Sequence, residues 1–358
     1  EGGTLAVERL DNDGAAVSVD AAAGAVEFRS RLDNTVVEAA DAAATYAVRL
    51  GNGLEIRDST LAMDARLGAA GDYVSASVRG GLVLDGRLEI ASAEDRYAYL
   101  YFQGDQQVTG TGTLAMTRGL APTGNVDNDI RLVSLTAQTE VLEFGAGLTI
   151  EGAGQVFAQS NEDAIRILGT VRGTGDGALI VYDLDNAGGT MTVDASAGTV
   201  ALGARAADAA IAAASGQTGT LGLLDGVVLE GLSLGIDTRL VTDSYTQVYV
   251  QGGLTLDAAF TLGTGGASYS QITFQGGQAI SGSGRIVLDD ALAPGAVQLQ
   301  NNLWFDGLLS ASEVLTIGSG IEVTGEGFVD AEAGDTIRLE GVLEADDGRL
   351  RARKLAPV

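Results

Sequence analysis

Chemistry in this chain would have to be carried by carboxylates. The 358 residues include no histidine and no cysteine, so a Ser-His-Asp set, a cysteine nucleophile, a thiolate zinc site and a disulfide are all excluded by composition. There remain 48 acidic side chains, and paired Asp or Glu residues can cut glycosidic bonds. The candidates are Asp11, Asp20, Asp64 and Asp85, each of which is written again as Asp185, Asp194, Asp237 and Asp257. That duplication argues against a single reaction centre. A residue present in both copies is better explained by a task that each copy needs: a turn, a strand-end hydrogen bond or a solvated corner. The expectation is a protein that is not an enzyme and has no catalytic residues.

Calcium is the one cofactor worth weighing. Asp11-Asn-Asp-Gly14 brings together Asp11 and Asp13, and Asp127-Asn-Asp129 brings together Asp127 and Asp129, clusters of the oxygen ligands that a hard cation prefers. Neither continues to the distal Glu of an EF-hand loop. The second copy reads Asp185-Asn-Ala-Gly188 at the first cluster and lacks the other. Asx-type turns without metal are therefore the preferred reading, with no cofactor expected. Gly-x-Gly spellings near Gly145 and Gly282 lie between strand-like runs and lead into no helix, so they offer no helix N-terminus for a pyrophosphate. Trp304, the single tryptophan, corresponds to Arg131 in the first copy. That pairing predicts an outward-facing position from which an aromatic ring can stack on a sugar.

The formal charge is −27, and Lys354 is the only lysine. Nucleic acid is excluded as a partner because phosphate binding needs a basic footprint, and an anionic membrane surface would be repelled. No apolar run approaches the length of a membrane span, so direct membrane insertion is not expected. The sequence opens at Glu1 without methionine or signal segment, and reads as an internal or processed piece of something longer.

The elements that must position these residues are written twice. Val141-Leu-Glu-Phe-Gly-Ala-Gly-Leu-Thr-Ile-Glu-Gly-Ala-Gly154 returns as Val314-Leu-Thr-Ile-Gly-Ser-Gly-Ile-Glu-Val-Thr-Gly-Glu-Gly327. Val78-Arg-Gly-Gly-Leu-Val-Leu-Asp85 returns as Val250-Gln-Gly-Gly-Leu-Thr-Leu-Asp257, and Leu120-Ala-Pro122 as Leu292-Ala-Pro294. The offset stays between 172 and 174 residues. Fixed-period self-similarity is the mark of a repeat architecture. It predicts one unit at 1–174, a second at 175–347, and at 348–358 the start of a possible third.

Within each unit the runs alternate at period two, as half-buried strands do, and break at Gly, Asp, Asn and Ser. They are too short for helices. In 141–154 this spells strand, tight turn, strand, with Leu148 and Ile150 on one face and Thr149 and Glu151 on the other. A string of β-sandwiches is the competing architecture. Strands of three to five residues and many Gly-x-Gly corners favour an all-β parallel β-helix, a β-solenoid made of two tandem homologous units. Seven or eight coils are expected in each unit, advancing roughly 35 Å at a strand spacing near 4.8 Å. Ala204–Ala214 has strong helical propensity, yet its counterpart carries the β-branched Thr35, Val36 and Val37, so strand and loop are expected in both.

The phrases 315–327 and Val108-Thr-Gly-Thr-Gly-Thr-Leu114 resemble the coils of filamentous-haemagglutinin-type and autotransporter-passenger right-handed β-helices, repetitive surface proteins of Gram-negative bacteria. The resemblance is one of style over most of the chain, with no catalytic or receptor motif to transfer. It implies an extracellular or cell-surface stalk or adhesin, built from further copies of the repeat, that associates end to end and meets a host-cell or glycan ligand. The alternative function is a carboxylate-dependent β-helix enzyme acting on an acidic polysaccharide.

Overall fold

The computed structural model describes residues 3–20, 24–40, 47–68, 73–91, 97–117, 128–241, 245–263, 269–289, 301–308, 312–345 and 350–356. Among them there are 36 strands and no helix. The chain divides into two compact units, the first holding 1–183 with 197–199, the second 184–196 with 200–358. Each is a parallel β-solenoid, and together they contain about 13 turns.

In unit 1 every strand pair recorded is parallel, and side chains that alternate along each strand form ladders from one coil to the next. One inward ladder runs Val26, Val48, Ala65, Leu88, Leu114, Ile150 and Val171. A second runs Leu10, Leu32, Ile56, Val78, Phe102, Leu132 and Ala158. A third passes through Leu82, Val108, Phe144 and Ile167. Three inward faces thus close a narrow core, where Phe102 and Phe144 meet edge to face at 6.0 Å. Each buried Val, Leu, Ile or Phe contributes about 1.5–3 kcal/mol.

Unit 2 is built likewise. Val200, Leu221, Thr238, Phe260, Ile286, Val323 and Leu343 form one ladder. Leu229, Val250, Phe274, Phe305 and Ala331 form another, and Leu232, Leu254, Ile280, Ile317 and Leu339 the third.

The repeated phrase folds as read. Strands Val141–Phe144 and Thr149–Gly152 flank a turn, as do Val314–Ile317 and Glu322–Gly325, and Leu148 and Ile150 are buried while Thr149 and Glu151 face out. Glycine is required at the ends of the second strands. Gly152 and Gly325 have φ of +115° and +106°, and a Cβ there would lie 1.9 Å from the Met116 carbonyl oxygen or 2.1 Å from that of Leu288.

The alanine-rich stretch is extended: the strand 190–207 is followed by Ala210–Ala213, matching Val36–Ala39 in unit 1. Tertiary pairing overrides propensity here, because Ile211 is buried in a ladder between Met191 and Leu234. The expectation of seven or eight coils per unit is too high. Coils vary in length, and the longest carry Gln106 against Leu142 and Gln278 against Leu315, so the same number of residues makes fewer turns. Residues 348–349, at the start of the possible third unit, lie outside the described residues. The strands Leu350–Ala352 and Leu355–Ala356 pair with Gly327–Ala331 and Thr336–Leu339 and so extend unit 2.

Candidate functional site

The carboxylates singled out in the sequence are used at corners. Asp64 Oδ1 accepts the Arg87 backbone N–H at 2.9 Å, and Asp85 Oδ1 accepts that of Thr111 at 3.0 Å. Their counterparts do the same: Asp237 accepts from Ala259 at 2.9 Å and Asp257 from Ser283 at 3.0 Å. In each case the donor belongs to the following coil, so the side chain ties two levels of the solenoid together. Asp194 and Asp185 make local turns, accepting from the N–H groups of Ser196 and Ala187. Asp20 is exposed at the end of the strand Ala16–Val19.

The residues considered for calcium are Asp11, Asp13, Asp127 and Asp129. Asp11 and Asp13 are exposed in the first coil, with Asp13 in the left-handed region at φ 49°. Asp129 is buried and ion-paired to Arg131 at 2.5 Å, and Asp127 lies outside the described residues. No group of three or more acidic side chains suited to a metal ion occurs among the described residues.

Gly145 and Gly282 sit in turns between strands. Gly145 N–H donates to the Val108 carbonyl, and Gly282 has φ +104° with the Leu256 carbonyl 2.3 Å from where a Cβ would stand. Both serve close backbone approach.

Sequence reasoning missed a row of aromatic side chains on one outward face of unit 1. On the strand Tyr97–Gln103, the residues Ala98, Leu100 and Phe102 point inward, which turns Tyr97, Tyr99 and Tyr101 outward. Tyr97 and Tyr99 stack at 6.1 Å with planes 4° apart, and Tyr99 and Tyr101 lie 5.9 Å apart. Tyr73, in register with Tyr97 one coil earlier, leans on Tyr99 at 5.2 Å and shares a 2.8 Å hydroxyl–hydroxyl hydrogen bond with Tyr101. On the following coils Arg131 and Phe157 stand in the column of Tyr101.

The Arg131 guanidinium lies 4.1 Å from the centre of the Tyr99 ring and 5.0 Å from that of Phe157, and Tyr182 meets Phe157 edge-on at 6.4 Å. Arginine over an aromatic face is favourable by about 0.5–2 kcal/mol. Burial, helped by the hydrogen bond shared with Tyr73, pushes the Tyr101 hydroxyl well above the ordinary phenol range, so it stays neutral at any physiological pH. The signal was present in the Tyr-x-Tyr-x-Tyr spacing, since residues two apart on a strand share a face.

Unit 2 carries a smaller version. Tyr245 and Tyr269 stack at 5.0 Å with planes 4° apart. The Tyr245 hydroxyl donates to Gln247 at 2.8 Å, and Asn302 Nδ2 donates to the Tyr269 hydroxyl at 2.6 Å. Trp304 faces outward between buried Leu303 and Phe305, as its correspondence with Arg131 predicts, and stands in one column with Tyr249 and Thr273. Comparison with family models, with curated proteins and with solved structures found no match.

Proposed function

We propose that this chain is a structural and adhesive segment of a repetitive bacterial cell-surface or extracellular filament protein, working as a stiff spacer that displays its outer faces. The observation that carries this reading is the use made of the duplicated carboxylates. Asp64, Asp85, Asp237 and Asp257 each accept a backbone N–H from the next coil, a role in holding the scaffold. Apolar ladders within each unit supply the stiffness, and the −27 charge keeps such molecules apart in dilute salt. Further copies of the same repeat would lengthen the spacer, and the acidic surface suits an extracellular medium rich in salt.

Two measurements test the reading. Pulled from its ends in a force spectrometer, the chain should resist as a solenoid and yield in steps of whole coils. Incubated with pectin-like and alginate-like polymers, it should release no new reducing or unsaturated ends. Turnover abolished by substituting one of these aspartates would instead establish the carboxylate-dependent enzyme.

A further inference from the structure

We propose that the aromatic row of unit 1, formed by Tyr73, Tyr97, Tyr99, Tyr101, Arg131 and Phe157, binds an extended, uncharged polysaccharide. The inference rests on the adhesive reading above and names its ligand class and site. Three properties of the row point to this occupant.

The first is its surface chemistry. Tyr73 and Tyr97 are 45% and 39% exposed, so π surface and phenolic hydroxyls reach solvent together, flanked by the half-exposed neutral side chains Ser75, Ser77, Gln103 and Gln155. A pyranose ring offers the complement, an apolar C–H face for the ring and hydroxyls for the neutral donors and acceptors.

The second is charge. The guanidinium in the row is neutralised by buried Asp129 at 2.5 Å. On earlier coils Arg57 and Arg79 share Glu55 as ion-pair partner, at 2.7 and 3.4 Å. The guanidinium within the row is thus ion-paired, and the face belongs to a chain of charge −27. Acidic polymers are repelled by that field, and so is a second copy of this chain. A neutral chain meets no such barrier.

The third is periodicity. Tyr101, Arg131 and Phe157 repeat down one column at the strand spacing of a parallel sheet, about 4.8 Å. An extended chain of pyranose rings advances by a similar distance per sugar, so over the three levels of this column consecutive sugars stay close to consecutive side chains.

The test is affinity electrophoresis of the whole chain through gels containing a neutral polymer (mixed-linkage β-glucan or galactomannan) or an acidic one (alginate or polygalacturonate), in parallel with light scattering. Wild-type protein should be retarded by a neutral polymer. Tyr97→Ala and Tyr99→Ala should each weaken retardation by roughly three- to tenfold, while Tyr97→Phe, which keeps the ring, should retain most of it. These rings point outward, so melting curves that match wild type exclude unfolding as the cause; should Tyr99→Ala melt early, the 39% exposed Tyr97 still decides the matter.

Equal retardation of wild type and both alanine variants would overturn the row while leaving adhesion standing. Retardation by the acidic polymers alone would overturn the ligand class. Dimerisation lost in Tyr97→Ala would replace the glycan with a second copy. A wild type that no polymer retards and that binds no cell surface would remove the adhesive reading as well.

Discussion

Gln106 and Gln278 make the same pair of hydrogen bonds at corresponding places in the two units. Nε2 of each donates to a carbonyl three residues back, Gln103 at 2.7 Å and Gln275 at 2.8 Å, while Oε1 accepts the N–H of Gly81 at 2.8 Å or Gly253 at 3.1 Å. Both glycines are left-handed, at φ +109° and +93°, which turns their N–H groups out of the ladder and toward the amide. One side chain thus ties a backbone donor on one coil to a backbone acceptor on the next.

Removing that amide should therefore cost more than an ordinary surface change. Gln106→Ala and Gln278→Ala are each expected to destabilise by about 1–3 kcal/mol, since a backbone donor and acceptor lose their partners. Gln106→Glu should lose most of the same amount, because a carboxylate can accept from Gly81 but cannot donate to Gln103. Chemical denaturation of the single variants measures this.

Gly152→Ala and Gly325→Ala should be among the most damaging glycine substitutions. Each combines a positive φ with a Cβ placed 1.9 or 2.1 Å from a carbonyl oxygen of the preceding coil, and backbone that carries the contact cannot step aside cheaply. A loss of about 1–3 kcal/mol from the backbone conformation alone is expected, with the clash added. Gly53→Ala, at φ +79° with nothing within 4 Å, should cost less. Thermal melts of the three variants rank them.

Asp306 and Glu332 predict a pH effect. Their shared hydrogen bond, then the charge of Asp306, holds the Glu332 carboxyl above its ordinary value. The folded state keeps a proton there that the unfolded chain has released, so stability falls as pH rises from the ordinary carboxylate range through the raised folded value. Asp306→Asn should remove the repulsion, raise the melting temperature at neutral pH and return Glu332 to ordinary titration. Carbon-detected NMR of the Glu332 carboxyl reads this directly.

Self-association should depend on salt. Among the described residues, the strand Gly3–Asp11 pairs through one edge only, with Gly24–Asp33, and Leu5 is 63% exposed. An open strand edge with apolar side chains is a template for another chain, opposed here by the −27 charge. Light scattering should report a mass that grows with protein concentration, and more steeply when salt shortens the screening length from about 10 Å at 0.1 M to 3 Å at 1 M. A constant monomer mass over that range would refute end-to-end assembly.

The sequence alone determined the class of fold and the location of its corners. Alternation in 141–154 and its copy, the Gly-x-Gly turns and the absence of helix-length runs pointed to a parallel β-solenoid, because a strand's period of two and glycine's freedom at positive φ are local properties. The same locality made the outward position of Trp304 legible, and identified the duplicated aspartates as candidates for corner hydrogen bonds.

Only the tertiary structure decided which coil each corner is tied to. That Asp85 reaches Thr111, or Gln106 reaches Gly81, depends on coil length, which varies with insertions that leave the strand pattern untouched. The aromatic row was hidden for the same reason. Tyr73, Tyr99, Arg131 and Phe157 are far apart in sequence and become neighbours only when parallel pairing stacks four coils in register.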